Sequence, residues 1–406
     1  MMTAQQVTRI RRQLQEFVES FAPELGRSER RHWCGKYLEG LLIEGERKSI
    51  EPMAARVSGG DEQAMQQFVN QSPWEHAAVM FRLRAQVFAR REKTPGVLVL
   101  DDTSLPKQGR HSVGVARQYC GALGKVANCQ SVVSWLWAGE RVAWPVAAEL
   151  YLPEAWTEDP PRMARAGVPE HAQRFREKWR VALDLLAECK PQLPAYRAIV
   201  FDAGYGAILP LLEALEEKGE PYIAQIPAKI AMWPADVEVE LQHKPNGRPQ
   251  KHWRVRDTKL RPRRAEQWRE LLQASPRRWK SVRLPRADGT YVRAIAVRVR
   301  GTERQAYNYR PGVERWLLIE QLSDDTFKYY LSNLPADTPL ADLVVLAHQR
   351  WKVEQGYQQL KEELGLDHFE GRSWRGLHHH LTLCFLAYAF LNRLRLHAPK
   401  KTAHVA

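Results

Sequence analysis

The sequence predicts a mixed α/β protein in which a βββαβαβ core is interrupted by a mostly β insertion and preceded by an all-α region. Three observations carry that expectation. Apolar residues recur at helical spacing up to about residue 91, short apolar strands begin after Thr94-Pro95-Gly96, and residues 227–336 form a basic, tryptophan-rich stretch too long for a loop. With 406 residues the chain can bury a sizeable core and divide into more than one domain.

The bulk numbers narrow the function. Sixty-one Lys and Arg against 47 Asp and Glu give a formal charge of +14, which makes a polyanion, above all nucleic acid, the leading partner. Five scattered cysteines without a C-x₂-C pair exclude a disulfide framework and a structural zinc site. No signal-peptide pattern and no run of eighteen apolar residues occurs, so a soluble chain, cytoplasmic and nucleoid-associated with no membrane partner, is expected. Ser104 and Ser112 lack a His and Asp arrangement, and no phosphate-cradling G-x-x-x-x-G-K-[ST] is present. His378-His379-His380 with Glu370 lacks a zinc-binding spacing, and that basic, aromatic segment is expected beside the active site or against phosphate.

Along the chain, Tyr37, Leu41 and Leu42, then Met65, Phe68 and Val69, mark amphipathic helices separated by Ser58-Gly59-Gly60. Arg9, Arg11 and Arg12, then Arg27, Arg30 and Arg31, suit phosphates or a solvated face. Residues 97–100 form an apolar strand ending in Asp101-Asp102-Thr103, followed by strands at 131–138 and 141–152 in an antiparallel meander. Phe175, Trp179, Ala182, Leu183 and Leu186 predict a crossover helix over 171–189. A strand at 198–201 ends in Asp202, before Gly204-Tyr205-Gly206, a helix at 208–218 and a strand at 222–226. Strands at 281–284, 291–299, 316–321 and 328–331 fill the insertion. Its tryptophans, Trp233, Trp253, Trp268, Trp279 and Trp316, lie among arginines and could stack on unpaired nucleotides, Trp316 being the candidate singled out.

The segment 348–361 carries the chemistry. Arg350, Glu354 and Lys361, at offsets of four and seven, fall on one stripe of a single predicted helix. One carboxylate cannot hold a catalytic Mg²⁺, so Glu354 needs partners. An acid closing the first strand and another closing the fourth, with a third on a later helix, is the arrangement of a ribonuclease H-like sheet. There the first and fourth strands are parallel neighbours, and Asp101 and Asp202 would repel unless a cation lay between them. Singly, either Asp reads as a turn or cap residue.

These residues give the chain a resemblance to DDE transposases of bacterial insertion sequences, of the branch marked by Y-x₂-R-x₃-E-x₆-K. Arg350, Glu354 and Lys361 match that signature, and Ala347 stands where the family has tyrosine. The stretches LVLDDTSLPKQGRHSVGVARQYCG and KEELGLDHFEGRSWRGLHHH also resemble blocks of this group, so the likeness covers about 24–391. It implies Asp101, Asp202 and Glu354 as catalytic acids holding two Mg²⁺ or Mn²⁺ ions, with Asp102 the alternative first acid. Arg350 and Lys361 would hold DNA phosphates. The implied partner is double-stranded DNA, the element's terminal inverted repeats and its target, bound by a homodimer on paired ends. The implied reaction is strand cleavage at element ends and strand transfer, the alternative being a catalytically inactive or domesticated DNA-binding descendant. The domains expected are a helical DNA-binding domain at 1–91, the first part of the catalytic domain at 92–226, the β insertion at 227–336, and the catalytic-helix segment with the C-terminal helices at 337–406.

Overall fold

A computed structural model of the chain describes residues 3–89, 94–241, 253–285, 289–305 and 308–397; Arg91 and Arg248 lie outside them. The chain divides into two compact units, one of Met1–Gly96, Leu100–Ala195 and Lys352–Ala406, the other of Val97–Val99 and Tyr196–Trp351. The architecture is mixed α/β and ribonuclease H-like, with a helical N-terminal region.

The first unit opens with α1 (Ala4–Glu19), α2 (Ala22–Leu25), α3 (Ser28–Leu42), α4 (Ile50–Arg56), α5 (Glu62–Asn70) and α6 (His76–Val87). Local chemistry sets their starts. Thr3 and Gln6 form a capping box at α1, and the Asp61 carboxylate accepts the Ala64 amide 2.8 Å away at α5. Four strands follow: β1 (Gly96–Pro106), β2 (Ala116–Cys120), β3 (Lys125–Ala138) and β4 (Ala143–Leu150). In this unit β3 lies between β1 and β2 along the sheet and also pairs with β4; its pairings with β2 and β4 are antiparallel. Two expectations are corrected here. The meander has an additional short strand, β2, and β1 does not end at Leu100 but runs through Asp101 and Asp102 to Pro106. The buried Thr103, Ser104 and Leu105 continue the strand past the acids, which are therefore within it and not at its tip.

After α7 (Glu154–Thr157) and α8 (Pro160–Ala166), α9 (Lys178–Cys189) packs on β3 and β4, and the Trp135 indole N–H donates to the Ala182 carbonyl at 2.8 Å. This helix is shorter than the sequence spacing predicts, because Phe175 is left 42% exposed and only the residues after Glu177 turn an apolar face inward.

The second unit holds β5 (Tyr196–Phe201), α10 (Ala203–Gly206), α11 (Leu209–Glu217) and β6 (Tyr222–Ile226), with β5 and β6 parallel. Next come β7 (Ala231–Pro234), β8 (Val239–Leu241), β9 (Trp253–Val255), β10 (Arg263–Arg264), α12 (Ala265–Gln273), β11 (Lys280–Arg283), β12 (Tyr291–Gln305), β13 (Asn308–Gln321), β14 (Phe327–Ser332) and α13 (Leu340–Ala347). The strands after β6 extend its own sheet: β14 pairs antiparallel with β6, and β13, β12, β7 and β10 continue outward. On the other side of β5 lies β1, which gives Val97–Val99 to this unit.

The chain returns to the first unit with α14 (Trp351–Glu362) and α15 (Trp374–His397). The α15 helix is buried along most of its length and packs against α3, α5, α6 and β4. Burial of so many backbone turns is unremarkable; burial of three consecutive imidazoles requires partners. His378 Nδ1 lies 2.9 Å from the Trp374 carbonyl, and its Nε2 accepts from the Leu150 amide at 3.4 Å. His380 Nδ1 lies 2.9 Å from the Tyr37 hydroxyl, and Nε2 faces the carbonyls of Gly365 and Leu366 at 3.1 and 3.2 Å. His379 stacks on Trp74 with ring centroids 3.6 Å apart, and its two nitrogens lie 2.8 Å from the Val69 and Trp74 carbonyls. A neutral ring has one N–H and serves only one of those carbonyls at a time. All three rings are internal ties between α15 and the elements around it.

Burial pushes the His379 and His380 imidazoles down to about 3. The folded values lie below the ordinary 6.5, so between those limits the unfolded chain binds protons that the folded chain refuses. Stability is therefore full above about pH 6.5 and falls on acidification, by up to about 1.4 kcal/mol per pH unit for each ring. Urea unfolding at pH 7.5 and 5.5 should show that loss, and His380→Gln should flatten the pH slope.

Candidate active site

In the first unit, strand alternation separates the two adjacent acids. Asp102 Oδ2 accepts from the Ser131 hydroxyl at 2.8 Å and from Lys178 at the start of α9, so this carboxylate lies on the α9 face with its charge matched. Successive side chains of a strand point to opposite faces, which turns Asp101 the other way. That second face carries α14. A Cβ on Gly356 of this helix would lie 3.8 Å from Leu136, and the Tyr357 phenol meets Ser134 of β3. The Ser134 hydroxyl also donates to the Asp101 carbonyl at 3.2 Å. Ser134 has a single proton, so the phenol must donate to it, and the relay runs Tyr357 to Ser134 to the β1 backbone. Burial pushes the Tyr357 phenol well up, and the negative charges of Asp101 and Asp102 add to the effect against the Ser134 hydrogen bond. The phenol therefore stays protonated and remains a donor.

Asp101 is half-buried, and its Oδ1 accepts the Asp102 amide at 2.9 Å. Glu354 stands one turn before Tyr357 on α14 and is exposed, while Lys361 on the same helix is half-buried. Tyr357, Ser134, Ser131 and Lys178 were not singled out from sequence. The available signal was Tyr357 at i+3 from Glu354, close to the same helix face.

In the second unit, Asp202 follows β5 and caps α10, its Oδ1 accepting from the Gly204 and Tyr205 amides at 3.0 and 3.2 Å. Arg350 is half-buried beside Tyr330: burial pushes that phenol up, the neighbouring Glu320 adds to the rise, and Arg350 opposes it. The single helical stripe expected for Arg350, Glu354 and Lys361 is corrected. Helix α13 ends at Ala347, His348–Arg350 form a 3₁₀ turn, and α14 begins only at Trp351. The break coincides with His348, whose Nε2 lies 3.1 Å from Oε2 of the fully buried Glu320. His348 is thus turned toward the buried Glu320.

Trp316 is half-buried in the wall of an open groove of about 720 Å³ lined also by Trp268, Arg278 and Arg298. Its indole N–H donates to the Pro335 carbonyl at 2.9 Å, and the Arg298 guanidinium lies 4.8 Å from the ring centroid. Trp233, Trp268 and Trp279 are buried, as core residues would be, whereas Trp253 is 45% exposed.

The carboxylates are hard oxygen donors of the kind Mg²⁺ and Mn²⁺ prefer, and Asp202 uses only one of its oxygens as a cap. Among the described residues, however, no group of three or more His, Cys, Asp or Glu is gathered closely enough to hold an ion. The donor chemistry fits a divalent cation without showing a finished cage.

A ribonuclease H-like fold is the class of architecture that the chain shows. Residues 20–301 match the family model described as DDE superfamily endonuclease, and the chain belongs to that family, whose members generally use divalent metal ions. It is also 25% identical, over 342 residues, to a protein of Microchaete diplosiphon named "Probable transposase for insertion sequence element IS701", covering 82% of this chain and 75% of that one.

Removing either end of the relay should leave a buried hydroxyl short of a partner at about 1–3 kcal/mol. Tyr357→Phe and Ser134→Ala should each lower unfolding free energy by that order, and the double variant by less than their sum; full additivity would show that the two groups do not interact.

Proposed function

We propose that this chain is the transposase of a bacterial insertion sequence, cleaving DNA at the element's ends and joining the freed ends to target DNA. The observation that carries the reading is the division of labour within β1. Asp102 is neutralised by Lys178, while Asp101 is turned toward the helix that bears Glu354. Membership of the endonuclease family and the name of the Microchaete diplosiphon relative support it.

Asp101, Asp202 and Glu354 are the residues we assign to a pair of Mg²⁺ or Mn²⁺ ions, with Asp102 displaced from that role by its ion pair. When bound, the ions would supply Lewis-acid polarisation of the scissile phosphate and a more acidic attacking water. Water attacks phosphorus in line and the bond from phosphorus to the 3′ oxygen breaks, leaving a 3′-hydroxyl; that hydroxyl then attacks a target phosphodiester and displaces its 3′ oxygen. Lys361 and Arg350 orient the phosphate and offset its charge, the fork of arginine suiting two oxygens at once. Trp316, with its ring edge already tied to Pro335, would contribute an exposed face for stacking on an unpaired base. The helical N-terminal region would bind the terminal repeats through its arginines, and a homodimer would hold two ends together.

Asp101→Ala, Asp202→Ala and Glu354→Ala should each abolish cleavage of supercoiled DNA carrying the element's ends and leave duplex binding intact; Asp102→Asn should retain cleavage. Cleavage that survives at any of the first three removes that residue from the site. Duplex affinity should fall linearly in log salt, because cationic side chains displace counterions from phosphates, and a salt-independent affinity would contradict the reading.

A further inference from the structure

The outer part of the β2–β3 hairpin, residues 116–129, lies beyond the β3 residues used in the site described above, and its surface is unusual. Tyr119, Leu123 and Val126 are 67%, 48% and 53% exposed, a cluster of apolar side chains at the tip of a ribbon. The register pairs Tyr119 with Val126 and Arg117 with Asn128. Alternation along the strands puts these four residues on one face of the ribbon, while Cys120 and Cys129 of the other face are buried against the body of the unit. The tip is closed by Gly121-Ala122-Leu123-Gly124, where Gly124 takes the left-handed φ of 63°.

Charge says what would cover such a face. The ribbon itself, residues 116–129, contains Arg117 and Lys125 and not one Asp or Glu. Arg117 lies on the face of Tyr119 and Val126, and Lys125, opposite Cys120, lies beside the tip; both are exposed. An apolar patch on a second protein surface would leave that positive charge unmatched, whereas a polyanion would match it. A two-stranded β-ribbon has the width of the DNA major groove, where arginine and asparagine are the side chains best suited to guanine and adenine edges and apolar groups meet the thymine methyl.

We infer that the β2–β3 ribbon is a DNA-reading element, lying in the groove of the duplex with Arg117 and Asn128 toward base edges and Tyr119 and Val126 against the apolar groove wall. This rests on the reading of the protein as a DNA-processing enzyme, and it assigns sequence discrimination to a hairpin on the same strand run as Asp101.

The test uses the full chain, with a short duplex selected by the wild-type protein from a random pool and a shuffled duplex as control. Arg117→Ala should weaken binding to the selected duplex by about tenfold or more, with a much smaller change on the shuffled one, because a base contact is lost. Tyr119→Ser with Val126→Ser should weaken the selected duplex likewise, and Arg117→Lys should restore part of the affinity but not the discrimination. All these positions are at the surface, and thermal melting should show wild-type folding. Wild-type affinity in both the Arg117 and the double variant would overturn the inference, as would a change confined to oligomeric state in light scattering, which would make the ribbon a protein interface. A wild-type chain that binds no duplex removes the proposed function as well; one that binds while its variants are unchanged removes only the ribbon.

Discussion

The first unit depends on one constraint, a twenty-four-residue helix buried on nearly every side. Water cannot satisfy polar groups there, so each side chain that is not hydrocarbon must find a partner among the elements packed on it. His378 ties the helix to β4, His379 to the end of α5 and the turn before α6, and His380 to α3 and the loop after α14. Three adjacent residues point in three directions because a helix advances about 100° per residue. The result joins the N-terminal helices and the strand framework into one packed body, in which α14 and β1 are held in register.

That register gives the two neighbouring acids different lives. A strand presents consecutive side chains to opposite faces, so no small adjustment could bring Asp101 and Asp102 to the same side. On the α9 face, Lys178 and Ser131 bind Asp102, a half-buried ion pair whose loss would leave an uncompensated charge. On the α14 face, the Tyr357–Ser134 relay fixes the backbone at Asp101.

Much of this was legible in the sequence. Short continuous apolar runs located β5 and β6, and Asp202 stood at the end of its strand because a residue that caps a following turn is also a local signal. The helical periodicities of the N-terminal region and the strands of the insertion were legible for the same reason. What was not legible depended on long-range contacts. Nothing in Asp101-Asp102-Thr103 says that a strand continues through two carboxylates; that follows from Lys178, seventy-six residues on. The 3₁₀ turn before Trp351 coincides with a contact between His348 and the carboxylate at 320, and β2, with the sequence Ala-Arg-Gln-Tyr-Cys, has few apolar residues to mark it. The burial of the histidine triplet was not legible, because the partners of its rings are carbonyls distant in sequence.

We propose that Asp101, Asp202 and Glu354 share a divalent cation. Iron(II) bound in place of Mg²⁺ generates hydroxyl radicals that cut the backbone within reach of the metal, so the chain itself reports the ligands. On treatment with ascorbate and peroxide, the account predicts fragments ending near residues 101, 202 and 354, suppressed by excess Mg²⁺. Cuts confined to other positions, or to only one of these three, would contradict it.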